Sequence, residues 1–83
     1  MKKIIVYEQV KTRIYDWVNG YGDWKNFNGT FEECCQSIED NYNNNKNLCL
    51  CIQVAKFYYD ENGQYIAWNI GRVFTNGRWK DGD

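Results

Sequence analysis

Two runs rich in β-branched and aromatic residues, 48–59 and 64–75, stand on either side of Asp60-Glu61-Asn62-Gly63. Runs of this kind bounded by a strong turn signal read as a β-hairpin, and the hairpin decides which side chains share a face. Two registers fit. A two-residue Asn62-Gly63 turn places Ile66 opposite Tyr59, and a type I turn with Gly63 in a G1 bulge places Ile66 opposite Tyr58. The second register gathers Leu48, Leu50, Ile52, Val54 and Tyr58 with Ile66, Trp68, Ile70 and Phe74, interrupted only by Lys56 and Arg72. The first mixes these apolar sets across both faces. A one-residue slip moves every side chain to the other face, so the pattern selects the bulged turn. Asn76-Gly77 is a further tight-turn signal that leaves Arg78-Trp79-Lys80 to pair briefly.

A helix is equally legible. Thr30-Phe31-Glu32-Glu33 is a capping box, in which the Thr30 hydroxyl accepts from the Glu33 amide while the Glu33 carboxylate reaches back. Phe31, Cys34, Cys35, Ile38 and Tyr42 follow at helical spacing and form one apolar face. The acidic first turn suits the helix dipole. The asparagine-rich run 41–45 is expected to end the helix, because asparagine competes for helix hydrogen bonds and tolerates left-handed backbone.

The N-terminal third carries two patterns. Residues 4–6 read as a strand. Val10, Ile14, Trp17, Val18 and Tyr21 fit helical spacing, yet Val, Thr, Ile, Tyr and Trp favour strands, and Asn19-Gly20 can close a hairpin into residues 21–27. Extended structure is the expectation. The whole chain, 1–83, then reads as a single small α+β domain: an antiparallel sheet of about four strands in ββαββ order, with one main helix packed on one face.

Composition excludes most chemistry. No histidine is present, which removes the usual general base, the commonest metal ligand and every Ser-His or Cys-His pair. Ser37 is the only serine. An enzyme is therefore not expected, nor is any cofactor. Met1-Lys2-Lys3 followed by Ile4-Ile5-Val6 imitates a signal peptide, but its apolar core falls short of the roughly 7–15 residues required. No run is long enough to span a membrane. A cytoplasmic location is the expectation.

Four cysteines, Cys34-Cys35 and Cys49-x-Cys51, lack the spacing of a zinc knuckle or ribbon. They are expected to pack as free thiols rather than to bind metal or form a disulfide. Glu32, Glu33, Glu39 and Asp40 are explained by capping and solvation. Asp60-x-Asn62-Gly63 resembles part of a calcium loop but has no downstream glutamate, and a β-turn accounts for it.

The aromatic residues remain. Four Trp, seven Tyr and four Phe exceed what one small core can hide. The second hairpin face, with Cys49, Cys51, Ala55, Phe57, Tyr59, Tyr65 and Val73, stays open unless the N-terminal third or another chain covers it. Tyr and Trp anchor binding hot spots. The leading expectation is a non-enzymatic protein-binding module whose surface includes Trp17, Tyr21, Trp24, Phe57, Tyr59, Tyr65, Arg72, Arg78 and Trp79. The abundance of Asn, Lys, Ile and Tyr points to AT-rich codons. With small size and no catalytic chemistry, that resembles phage or mobile-element accessory proteins, including anti-CRISPR-like inhibitors of host defence nucleases.

An alternative is a single-stranded nucleic-acid module. Lys56, Arg72, Arg78 and Lys80 of the C-terminal hairpin stand among Phe57, Tyr58, Trp68, Phe74 and Trp79. Ten basic against eleven acidic residues give a net charge of −1, which removes an overall basic field but not a local patch. A homodimer is the third reading.

Overall fold

The computed structural model describes residues 4–16, 18–44 and 51–82. Three strands precede one helix and three follow it: β1 Tyr7–Asp16, β2 Gly20–Tyr21, β3 Lys25–Phe27, α1 Phe31–Asn44, β4 Cys51–Tyr59, β5 Tyr65–Thr75 and β6 Arg78–Asp81. All strand pairs are antiparallel, in the order β2-β1-β4-β5-β6, with β3 sharing the β2 side of β1.

The N-terminal third is extended, as its strand-favouring residues require. Asp16 Oδ1 accepts from the Val18 N–H at the β1–β2 turn, and this bond holds its carboxyl below the usual range. Gly20 takes the left-handed conformation there. The sheet has six strands where about four are expected, and the order differs. Asn76 and Gly77, with φ of 50° and 88°, make the double left-handed turn that adds β6. On the other flank, the chain after β2 skips one residue of register before β3 resumes pairing with β1. β1 thereby becomes an inner strand with partners on both sides.

That placement explains the helix. β3 and β4 are both antiparallel to β1, so they run parallel to each other with β1 between them. The chain must cross the sheet to get from one to the other, and α1 lies on this crossing. The capping box forms as the sequence requires: the Thr30 N–H donates to Glu33 Oε1 at 2.9 Å, and the Glu33 N–H donates to Thr30 Oγ1 at 3.1 Å. Thr30→Ala is expected to lower stability by about 1 kcal/mol in urea unfolding. The helix ends at Asn44, inside the asparagine-rich run 41–45, and Tyr42 in its last turn packs edge-on against Phe74 at 5.4 Å between ring centroids.

Val10, Cys34, Cys35 and Val54 form the buried cluster between helix and sheet, flanked by Phe27, Phe31, Ile38 and Trp79. The β4–β5 turn is the bulged one. The Gly63 N–H donates to Asp60 O, the Asp60 N–H donates to Gln64 O, and Gly63 has φ +76°. The register it sets lasts only for the pair Tyr59↔Tyr65. Two irregularities, between Tyr58 and Tyr59 and between Val54 and Ala55, shift the remainder. Trp68 therefore stands opposite Phe57, and Ile70 opposite Ala55, on the face away from the helix. The expectation that Trp68 and Ile70 join Val54 is corrected accordingly. Lys56, which the unshifted bulged register would set opposite Trp68, pairs with Asn69, and its ammonium lies over the Phe31 ring.

Candidate functional site

Alternation along each strand sorts the sheet into two faces. Register shows which residues share them, because directly paired residues point the same way. The helix face carries Val10, Ile52, Val54, Phe74 and Trp79. The opposite face carries Tyr7, Gln9, Lys11, Arg13 and Tyr15 from β1, and Gln53, Ala55, Phe57 and Tyr59 from β4. Tyr65, Trp68, Ile70 and Val73 of β5 join them, with Arg78 and Lys80 at the β6 edge. Tyr21 pairs with Tyr15 on the same side. No helix among the described residues covers this face.

The one-residue irregularity before β3 delivers Trp24 across it. Trp24 meets Phe57 at 5.2 Å and Trp68 at 5.5 Å, both edge-on. Phe57 and Trp68 are stacked at 5.6 Å with planes 10° apart. At the far end Tyr7 and Tyr59 stack at 5.0 Å with planes 14° apart. Phe57 is buried by these neighbours. Tyr7, Tyr21, Tyr65 and Trp68 keep 40–54% of their surface exposed, enough to offer ring area to a partner.

Two cations are built into this aromatic layer. The Arg13 guanidinium lies 4.0 Å from the Tyr21 ring centroid and 4.4 Å from that of Trp24, and its Nε donates to Gln53 Oε1 at 2.6 Å. Lys11 Nζ lies 4.6 Å from the Phe57 centroid. The one ion pair among the described residues, Lys56 with Glu8 at 3.8 Å, is on the helix face. Neither Lys11 nor Arg13 is therefore paired to a carboxylate among the described residues.

The structure brings Tyr21, Trp24, Phe57, Tyr59 and Tyr65 onto the open face and sets Arg78 at its edge. Arg72 and Trp79 stand on the other side. The Arg72 guanidinium lies 4.5 Å from the Trp79 ring centroid, and the Trp79 indole donates to Glu39 of α1. Arg72 pairs with Val54, on the side where alternation along the hairpin already sets it. Trp17 lies outside the described residues. The basic–aromatic set of the C-terminal hairpin is split in the same way: Lys56, Arg72, Tyr58, Phe74 and Trp79 face the helix, while Phe57, Trp68, Arg78 and Lys80 face away. Sequence reasoning missed Lys11 and Arg13. The signal was the period-two series Tyr7, Gln9, Lys11, Arg13, Tyr15, obscured by an overlapping helical spacing.

Cys34, Cys35 and Cys51 are free thiols. Among the described residues no three His, Cys, Asp or Glu side chains are grouped to hold a metal ion, and Cys49 lies outside them. Burial, and secondarily Cys35, pushes the Cys34 thiol from 9.0 up to about 11. Below pH 9 the folded thiol stays protonated and its burial is undisturbed; stability is lost as pH rises from there through about 11. At pH 7.5 Cys34 should alkylate at least about 100-fold more slowly than an unfolded cysteine. Peptide mass spectrometry after timed iodoacetamide treatment reads this, and labelling at the unfolded rate would contradict the burial.

No protein-family model, characterised protein or solved structure matches this chain. No helix among the described residues is long and apolar enough to cross a membrane.

Proposed function

We propose that this chain is a non-catalytic binding module whose working surface is the sheet face turned away from α1. One observation carries the reading: eight aromatic side chains collect on a face that no helix among the described residues covers, while the helix and the buried cluster lie on the other. A sheet needs only one buried face, and an open face is ordinarily polar. This one is instead a layer of stacked rings with half-exposed edges. Rigid, partly exposed Tyr and Trp side chains supply contact area at low entropic cost.

A protein partner is one reading of this surface, and blocking a host defence nuclease is its narrow form. Ile4, Ile5 and Val6, at 75%, 55% and 55% exposure, favour it as an exposed apolar segment that leads directly into Tyr7. The test is a tagged pull-down from a bacterial lysate, with and without nuclease, using the native chain and a Tyr65→Ser/Trp68→Ser variant. Capture of a stoichiometric partner by the native chain and its loss from the variant are expected. Equal capture by both would contradict the assignment of the face.

A further inference from the structure

We propose that the ligand of the open face is single-stranded nucleic acid, an inference that rests on the binding reading above. Charge segregation carries it. The strand positions of this face hold Lys11, Arg13, Lys80 and Arg78 and no carboxylate. The chain as a whole is at −1, so its acidic residues have been placed elsewhere. Glu8 and Asp81 point to the helix side, and Glu32, Glu33, Glu39 and Asp40 ride on α1. Asp16, Asp60 and Glu61 sit in or beside turns, and Asp23 lies between β2 and β3, where it lines a cavity with Arg13 but forms no ion pair with it. A near-neutral protein with one face that is cationic at its described strand positions is complementary to a polyanion.

The rings decide which polyanion. Trp68 stacks on Phe57, and Tyr7 stacks on Tyr59, so the face presents flat, half-exposed π-surfaces between its cations. Only unpaired bases can stack on such surfaces, since a duplex presents edges and phosphates. Beside the Tyr7–Tyr59 stack a shallow cavity of about 220 Å³ is lined by Gln9, Lys11 and Asn26. It offers room for a planar base with amide groups at its rim. Arg13 is fixed before binding, because its Nε is held by Gln53 and its plane by Tyr21 and Trp24. From Lys11 on β1 to Lys80 on β6 is three strand spacings, roughly 14 Å across the sheet. A few nucleotides of extended strand cover that distance.

The test uses fluorescence anisotropy with a labelled 20-nucleotide dT strand and a duplex of equal length. The single strand should bind more tightly than the duplex. Four phosphate contacts predict a slope of log K against log salt of about −3, or roughly 50-fold weakening from 50 to 200 mM salt. The Arg78→Gln/Lys80→Gln variant, altered at exposed edge positions, should bring the slope to about −1.4. Trp68→Ala should weaken binding roughly 5- to 150-fold. Lys56→Gln removes a charge on the helix face and should change affinity less than about twofold at physiological salt. Melting curves exclude unfolding as the cause. Absence of dT binding at about 100 µM protein, or equal affinity for the duplex, would overturn the inference. If dT binding fails while the Tyr65→Ser/Trp68→Ser variant still loses a nuclease-resistant protein partner, the ligand class is wrong and the binding face stands. If neither depends on the face, both readings fall.

Discussion

Phe74→Ala is expected to cost about 3–5 kcal/mol of folding stability. Phe74 is 2% exposed and closes the helix side of β5 against Tyr42 at 5.4 Å and Trp79 at 4.8 Å. Truncation leaves a cavity beneath the last turns of α1 and removes the anchor of β6. A chain of this length has a total stability of only about 4–12 kcal/mol, so the change takes a large share. Thermal unfolding should shift by about 12 °C or more, or lose its cooperative transition, taking roughly 4–8 °C per kcal/mol. Tyr65→Ala, on the exposed face, should move the midpoint by only a few degrees. A drop of less than about 5 °C for Phe74→Ala would mean that the helix does not seat here.

Gly71→Ala should destabilise by about 1–3 kcal/mol. Within a strand the same change ordinarily gains a few tenths, because glycine loses more freedom on folding. At Gly71 a Cβ would lie 2.6 Å from two ring carbons of Phe31. Gly71 is the extra residue between the pairs Val54↔Arg72 and Ala55↔Ile70. The glycine thus lets the first helical turn lie directly on the irregular stretch of β5. Phe31→Leu should relieve part of the clash, so the double variant should be more stable than the two single effects sum to. Additivity within about 0.3 kcal/mol would show that the ring is not the obstacle.

These two sites also show where the sequence stopped being legible. Thr30 with Glu33, and Asp60 through Gly63, encode their structure in adjacent residues, and both form as read. The register of β4 against β5 does not have that property. It is reset twice, once at a contact between Gly71 and Phe31, residues far apart in the chain. A pattern of apolar side chains alone places Trp68 and Ile70 with Val54, because burial against a helix is the usual reason for large apolar residues. Here Phe57, Trp68 and Trp24 bury one another on the face without a helix. The same uncertainty hid Lys11 and Arg13. Their face depends on β1 being a strand, and the 10–21 segment carries both helical spacing and strand-favouring residues. The five aromatic residues shared by expectation and open face were found through exposure arguments, whereas Arg72 and Trp79 stand on the Val54 and Phe74 side, where alternation along the hairpin already set Arg72.

The division of labour between the two faces is tested most directly by the tryptophan indole N–H signals in ¹⁵N–¹H spectra, assigned by single Trp→Phe variants, during titration with the dT strand. Trp24 and Trp68 lie on the open face, and Trp79 is held by Glu39 against the helix. The account predicts that the Trp24 and Trp68 signals move with saturating dose dependence while Trp79 stays in place. Movement of Trp79 with Trp24 and Trp68 unchanged would contradict it.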